Sequence, residues 1–193
     1  MHTLLAASIV LLLSLSSAAH ANCEEFWVTR NLIMDRAGHC FGTVLGQSVM
    51  NNADCTGSNP AVHPADAQAM RDMRAREAEI GCSIDTSRGP SPTLSAIHAR
   101  LSQLETLPVR VGQLDGAGCL GYLGPPVALY RGARAQSGQI ATLTPNINVF
   151  FMHVAVAGWV YVTATPGSED RVIAHGWLAP GSVPAGSCTQ TIP

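Results

Sequence analysis

The stretch NLIMDRAGHCFG, residues 31–42, decides the architecture of the amino-terminal half, because it places a helix end beside a cysteine. Apolar residues at helical spacing precede it, and Gly38 is a natural helix terminator. We therefore predict a first helix over 23–37. The polar residues around Cys40 leave two interpretations open, an active-site loop or a helix end fastened by a disulfide.

Outward from this stretch, the chain alternates loops and helices. Residues 39–62 are predicted to be irregular. Pro64 suits the first position of a second helix, which Gly81 ends. Ser91 caps a third helix that fits residues 91–107, with leucine and isoleucine along one side.

After Pro108 the chain changes to short segments rich in valine, isoleucine, leucine and aromatic residues, separated by glycine, proline or asparagine turns. This spacing is typical of a small all-β barrel or sandwich. The predicted strands are 108–114, 127–132, 138–144, 147–156, 159–164 and 171–178. The predicted fold class is therefore α+β, with a helical amino-terminal domain and a small β-barrel carboxy-terminal domain.

The beginning of the chain predicts export. Residues 4–15 form an apolar block of signal-peptide length, and a small-x-small pattern follows at 19–21. We predict a signal peptide over 1–21, cleaved between Ala21 and Asn22, and a periplasmic or secreted protein. No later apolar run is long enough to span a membrane.

All six cysteines follow the predicted cleavage site, and an even count in an exported chain indicates disulfides. If the first two helices are antiparallel, the cysteines at their outer ends meet, and the next pair closes the loop between the helices. The last two cysteines bracket the β half. The predicted pairs are Cys23–Cys82, Cys40–Cys55 and Cys119–Cys188.

The charge distribution excludes some classes of partner. The formal net charge is −2, only 12% of residues are charged, and the eleven basic residues are all arginine. Nucleic-acid and anionic-membrane binders carry clustered positive charge. We expect neither kind of partner, and we leave an envelope glycan, a peptide or a protein open.

The segment RNLIMDRAGHCFGTVLGQSVMNN, with the charged helix MRDMRAREAEI after it, resembles the YARHG domain of bacterial envelope proteins. Arg36 and Gly38 match two of the five positions that name the motif, and the Arg-Asn pair before them and the Phe after them match its flanks. The resemblance covers about 23–82. It implies an extracytoplasmic location and brings no established reaction.

The second half is similar to bacterial SH3-like domains. A Gly-Trp pair, Gly158-Trp159, precedes a predicted strand, and Gly176-Trp177-Leu178 closes the region. Such domains are usually binding or targeting modules, often for cell-wall peptides, and their ligand contacts vary too much to transfer. The predicted organisation is a signal peptide (1–21), a YARHG-like helical domain (22–85), a linker and helix (86–107), an SH3-like β domain (108–188) and a tail (189–193).

Catalytic interpretations find little support in the sequence. His39 beside Cys40 suggests an activated thiol, but an oxidising compartment favours a disulfide. A metal site from His39, Cys40, Cys55 and His63 has no recognised zinc spacing. We predict no catalytic residues, no metal and no cofactor.

Other polar residues also have structural explanations. Glu24 and Glu25 are adjacent at a helix start, where they suit the helix dipole better than a glycosidase pair. His153 falls in a predicted strand and His175 in a predicted loop, and a structural role is favoured for both.

The candidate binding residues are aromatic. Trp159 and Trp177 either pack in the core or, with Tyr130 and Tyr161, line a groove for a glycan or peptide. Arg36 either bonds the carbonyls of the following loop or presents its donors to an anionic partner.

The sequence thus predicts a non-catalytic binding or envelope-interaction protein, which contacts cell-wall material through the β domain. Two alternatives stay open: an envelope enzyme with its site in the loop 38–55, and a structural or inhibitor-like partner protein.

Overall fold

The computed structural model describes residues 22–111, 116–167, 171–184 and 186–192. The described residues form two compact units, one that ends at Leu101 and one that begins at Ser102. The first is helical and the second is an antiparallel sheet, which confirms the predicted α+β class. The predicted signal peptide, 1–21, and with it the cleavage bond after Ala21, lie outside the described residues.

The helical unit contains four helices in its described part: α1 over 22–36, α2 (Val44–Val49), α3 (Pro64–Glu79) and α4 (Pro92–Leu101). Gly38 has a φ of 88° and follows the end of α1, as predicted. The prediction that 39–62 is irregular is wrong at α2, where the Thr43 side chain accepts a hydrogen bond from the Gly46 N–H at 3.1 Å. Six residues are too few to show a helical period.

Covalent and ionic links hold the short helices together. The disulfides Cys23–Cys82 and Cys40–Cys55 join Cα atoms 5.4 and 5.0 Å apart, and both are pairs that the sequence predicts. The half-buried Arg30 on α1 pairs with Glu77 on α3, with Nη2 and Oε1 2.8 Å apart. The core of the unit includes Phe26, Leu45, Met73, Leu94 and Leu101.

Helix α4 ends at Leu101, where the sequence prediction extended a helix to 107. Leu94, Ile97 and Leu101 are buried, whereas the next apolar residue on that pattern, Leu104, belongs to the β unit. The helical period is therefore interrupted by a boundary between two units, which falls between Leu101 and Ser102.

The β unit is a seven-stranded sheet in the order β3-β2-β6-β5-β4-β1-β7, and all neighbouring strands are antiparallel. One face carries an apolar core, which includes Leu129, Val149, Val162 and Leu178. The strands are β1 (Ala117–Tyr122), β2 (Val127–Tyr130), β3 (Gln139–Leu143), β4 (Ile147–Phe151), β5 (Val160–Pro166), β6 (Ala174–Leu178) and β7 (Cys188–Ile192).

Two strands escaped the sequence prediction. The strand β1 is interrupted by two glycines, and β7 is polar between Cys188 and Ile192, so neither shows the apolar run that marks the predicted strands. Residues 189–192 pair with β1, which corrects the predicted tail. The disulfide Cys119–Cys188 links the same two strands, with its Cα atoms 5.3 Å apart, and it too is a predicted pair.

Two other predicted strands need correction. In the segment 108–114, Arg110 forms only an isolated bridge to His153, and residues 112–115 lie outside the described part. The predicted strand 147–156 ends at Phe151, and the residues after it bond residues 109–111 instead: the Val111 N–H donates to the Met152 carbonyl and the Val154 N–H to the Val109 carbonyl. The similarity to SH3-like domains stays a prediction.

Candidate functional site

The second face of the sheet, turned away from the apolar core, is aromatic. Tyr161 on β5 lies opposite Trp177 on β6, and their ring centroids are 5.8 Å apart. The imidazole of His153 meets the Tyr161 ring edge-to-face at 4.7 Å, and that of His175 lies 6.3 Å from it. Because side chains alternate along a strand, Tyr161 faces away from its core neighbour Val162.

Residues 106–111 of the β unit, which precede β1 and which we call the strip, cover the aromatic face. The Trp177 indole N–H donates to the Thr106 carbonyl at 2.8 Å, and the Val154 N–H donates to the Val109 carbonyl at 2.8 Å. Trp177 and Tyr161 are fully buried. Their predicted role as surface binding residues is therefore corrected, since a ligand reaches them only if this strip detaches.

Tyr130 and Trp159 form a different kind of pair at the same face. Both are half-buried, and their rings meet edge-to-face with centroids 5.5 Å apart. Trp159 directly follows a two-residue turn in which Ala157 and Gly158 have φ angles of 48° and 80°. Because both side chains are only half-buried, part of each residue stays exposed to solvent.

The turn closes an exposed apolar hairpin, which we define as residues 154–158. Val156 and Trp159 exchange two backbone hydrogen bonds of 2.9 Å, and every residue of the hairpin is exposed. Val154 and Val156 are 49% and 40% exposed. No charged residue occurs between Arg134 and Glu169, so the hairpin itself carries no charged side chain.

The sequence does not predict this hairpin, because the apolar run 147–156 has the composition of one continuous strand. The signal that marks it is the pair Ala157-Gly158 between two apolar runs, a two-residue turn with alanine in place of the usual asparagine. The two Gly-Trp pairs behind the SH3-like resemblance also have packing reasons. A Cβ on Gly176 would lie 2.9 Å from the Leu129 Cβ and 3.0 Å from the Tyr130 carbonyl oxygen.

The loop after α1 is held by its own polar groups. The Cys40 N–H donates to the Gly57 carbonyl at 2.8 Å, and the Asn52 amide bonds both the N–H and the carbonyl of Phe41 at 2.9 Å. His39 packs edge-to-face against Phe41. All six cysteines are in disulfides. These contacts account structurally for the polar density that raised the question of an active site.

Arg36 is exposed at the end of α1, next to Asp35. The Asp35 carboxylate accepts a hydrogen bond from the Asn51 N–H at 2.9 Å, and burial raises its pKa while that bond lowers it. Desolvation lowers the pKa of Arg36, and the carboxylates of Asp35 and Asp66 oppose this shift. Asp35 thus anchors the loop, and a binding role for Arg36 stays a prediction.

The family model described as "Domain of unknown function (DUF4453)" matches residues 81–193, and the YARHG domain model matches residues 2–78. The YARHG resemblance predicted from the sequence is thereby confirmed, and with it an extracytoplasmic domain. No match was found among curated proteins or among solved structures.

Two further observations concern the described residues alone. Within them, no helix combines the length and apolar character needed to cross a membrane. In the same ranges, no group of three or more histidine, cysteine, aspartate or glutamate residues is placed to hold a metal ion.

Proposed function

The chain belongs to the DUF4453 family and carries a YARHG domain, and on that premise we propose a non-catalytic binding protein of the bacterial envelope. It acts in the periplasm or outside the cell, and its β unit contacts the glycan of cell-wall material. The observation that carries this proposal is the apolar hairpin, residues 154–158, with the Tyr130–Trp159 pair at its base.

The chemistry of the hairpin fits a sugar surface. Glycan rings present C–H faces that pack on flat aromatic side chains, and their hydroxyl groups need no charged partner. The half-buried rings of Tyr130 and Trp159 supply the flat element, and the hairpin next to Trp159 carries no charged side chain. A charged hairpin would instead favour ionic ligands.

The absence of a catalytic role is part of the proposal. Cys40 and Asn52 hold the loop 38–55 in place, and the imidazoles of His153 and His175 pack against Tyr161. A general base or nucleophile must instead reach a substrate atom. These contacts support a binding protein over an enzyme with a site in that loop.

Co-sedimentation with purified insoluble peptidoglycan tests the proposal. We expect the oxidised protein to sediment with peptidoglycan, and Trp159→Ala to reduce the bound fraction at least tenfold, because the flat ring is lost. Trp159→Phe should retain part of the binding. Leu123→Ser is the matched control, since Leu123 is an exposed apolar residue of the same unit, at 59% exposure.

Two results would contradict the proposal: no sedimentation of the wild-type protein with peptidoglycan, or equal sedimentation of wild type and Trp159→Ala. Near-ultraviolet circular dichroism of each variant verifies that the β unit is folded. Titration of free thiols tests the thiol-enzyme alternative separately, and we expect none in the native protein.

A further inference from the structure

The β unit contains a cavity of about 270 Å³ at the end of the sheet where β5 begins and β6 ends. Val160 and Leu178, which are paired across these two strands, both line it. The volume is close to the lower limit, about 300 Å³, of cavities that bind small molecules. The cavity therefore has room for one small chemical group rather than for a stretch of polymer.

Apolar side chains form the part of the lining that adjoins the core. Leu178 is 2% exposed, and the half-buried Phe151, Val160 and Val183 pack against the same core cluster. None of these side chains donates or accepts a hydrogen bond. A hydroxyl group placed against them would lose its hydrogen bonds to water without replacement, whereas a methyl group has none to lose. This wall therefore favours a methyl group.

A preformed turn makes up the rest of the lining. The Ser182 N–H donates to the Ala179 carbonyl at 3.2 Å, and Pro180 and Gly181 occupy the central positions, with a φ of 71° at Gly181, as in a type II turn. Among the described residues of the lining, Ser182 supplies the one side-chain hydrogen-bonding group. A ligand group that suits this cavity is apolar at one end and has a neutral polar group at the other.

The cavity lies next to the proposed glycan surface. Gly158 belongs both to the apolar hairpin and to the lining of the cavity, and a Cβ on it would lie 3.3 Å from the Pro180 Cγ. Trp159 and Val160 are consecutive, and their side chains point to opposite sides of the chain because side chains alternate along a strand. A chain-like ligand that crosses the hairpin at Gly158 therefore reaches the Trp159 ring on one side and the cavity on the other.

We propose that this cavity holds the N-acetyl group of an amino sugar, an inference that rests on the proposed function and names the sugar of its glycan. The methyl group packs on Leu178 and Val183, and the amide stays at the mouth, where the Ser182 hydroxyl both donates and accepts. A sugar that carries a hydroxyl group at the same position would place a polar group against the apolar wall.

Charge gives the same preference. The free amine of an amino sugar is protonated at neutral pH, and none of the described residues that line the cavity carries a carboxylate or any other charge. Burial of an ammonium group without a partner is costly. Acetylation removes the charge and adds the methyl group, so the cavity favours the acetylated sugar on both counts.

Titration followed by ¹H–¹⁵N NMR of the full oxidised protein tests the inference. The probes are N-acetylchitotetraose and cellotetraose, which share their linkage and ring configuration and differ in carrying an acetamido or a hydroxyl group. We expect saturable shifts of the amides within 158–160 and 178–183 with N-acetylchitotetraose. Cellotetraose should bind at least tenfold more weakly, because its hydroxyl group gains nothing from the apolar wall.

A substitution that fills the cavity should remove this selectivity. Val183→Trp should lower the affinity for N-acetylchitotetraose at least tenfold, to that for cellotetraose. Leu123→Trp is the matched control, since it adds the same ring at an exposed position of the same unit, and it should bind as wild type does. If Val183→Trp fails to fold, Ala179→Leu narrows the cavity with fewer added atoms and should lower the ratio of the two affinities in the same direction.

Trp159→Ala separates this inference from the proposed function. It should weaken binding of both oligosaccharides and leave the ratio of their affinities unchanged, because the ring lies outside the cavity. Equal affinities of wild type for the two oligosaccharides, no saturable shift with N-acetylchitotetraose, or an unchanged ratio in a folded cavity variant would overturn the inference.

Octyl glucoside tests the other occupant that an apolar cavity suggests. Tighter binding of this probe than of N-acetylchitotetraose, at the same amides, would assign the cavity to a hydrocarbon chain and would also overturn the inference. In each of these cases, sedimentation with peptidoglycan that depends on Trp159 would leave the proposed function standing.

Discussion

The two units of this protein reach a stable fold by different means. The helical unit has helices as short as six and ten residues, two disulfides and carboxylates such as Glu24 inside. The β unit has one disulfide, a ladder of seven antiparallel strands and a core on one face. Short helices are marginal alone, so cross-links and paired charges replace the cooperative hydrogen bonding that a sheet supplies.

Removal of disulfides tests this comparison most severely. In Cys23→Ala/Cys82→Ala, a link that spans 59 residues is lost, and the unfolded chain gains freedom worth about 4 kcal/mol. We expect the helical unit to unfold or to exchange its amide hydrogens freely, while the β unit stays protected. Hydrogen exchange with mass spectrometry measures the two units separately.

The control is Cys119→Ala/Cys188→Ala, which opens a loop of similar length, 69 residues, in the β unit. The β1–β7 ladder still holds the two strands together, so the sheet should keep its protection. The comparison fails if the β unit loses protection in this variant while the helical unit tolerates the loss of Cys23–Cys82.

A substitution that adds a side-chain atom where the backbone is closely packed should lower the stability of the β unit alone. Gly176 lies in β6 with a φ of 147°, and its added Cβ would meet Leu129 and the Tyr130 backbone at 2.9 to 3.2 Å. Gly176→Ala should cost about 3 kcal/mol of unfolding free energy, because backbone atoms cannot move aside cheaply. Hydrogen exchange of β-unit peptides at increasing urea concentration measures this loss. A loss below that of Gly138→Ala, where the added Cβ meets open space, would contradict the prediction.

The apolar hairpin should tolerate and even gain from a substitution. Ala157 adopts a left-handed φ of 48°, which asparagine adopts more readily, and Asn-Gly is the preferred pair in such a turn. Ala157→Asn should therefore raise the unfolding free energy of the β unit by about 0.5–1 kcal/mol. A thermal midpoint equal to or below that of wild type would refute the turn geometry.

Acidification should produce the smallest effect, through His98 in the helical unit. Burial lowers the pKa of His98 below its ordinary 6.5, while Asp35 acts to raise it. The unfolded chain therefore binds a proton at His98 at a higher pH than the folded chain does. The resulting stability is complete above pH 6.5 and falls as the pH drops toward the lowered pKa.

Unfolding free energies measured between pH 7.5 and pH 5.5 check this sign. His98→Gln should show a flatter profile than wild type over this interval. Asp35→Asn removes the carboxylate that supports protonation of His98, so its profile should be steeper. Identical profiles for the three proteins would contradict the assignment to His98.

The features that the sequence predicts are those that depend on the spacing of nearby residues or on the number of cysteines. Apolar residues at helical spacing predict α1 and α3, and Gly38 marks the end of α1. The even number of cysteines, six, indicates the disulfides. The strands β1 and β7 were missed, because glycine and polar residues there fit only in the context of the sheet. Their pairing is set by neighbours distant in sequence, which no local pattern reports.

The candidate sites show the same limit. Their residue type predicts the same candidate role for Trp159 and Trp177. In the structure, Trp177 is buried and donates to the Thr106 carbonyl, whereas Trp159 is half-buried. Glu24 was interpreted as a partner of the helix dipole. Its burial beside Ser91 depends on residues 67 positions apart in the chain, and it therefore became visible only in the fold.

The position of α4 limits where recombination can divide the gene of this protein. The two family matches part between residues 78 and 81, yet Cys82 and α4 fold with the helices before them. A gene rearrangement with its breakpoint there would leave Cys23 without its partner thiol and remove Leu94, Ile97 and Leu101 from a core. In an oxidising compartment the orphaned thiol would cross-link separate molecules. We therefore expect natural recombination to keep breakpoints after Leu101, so that residues 81–101 of the second segment stay with the YARHG domain.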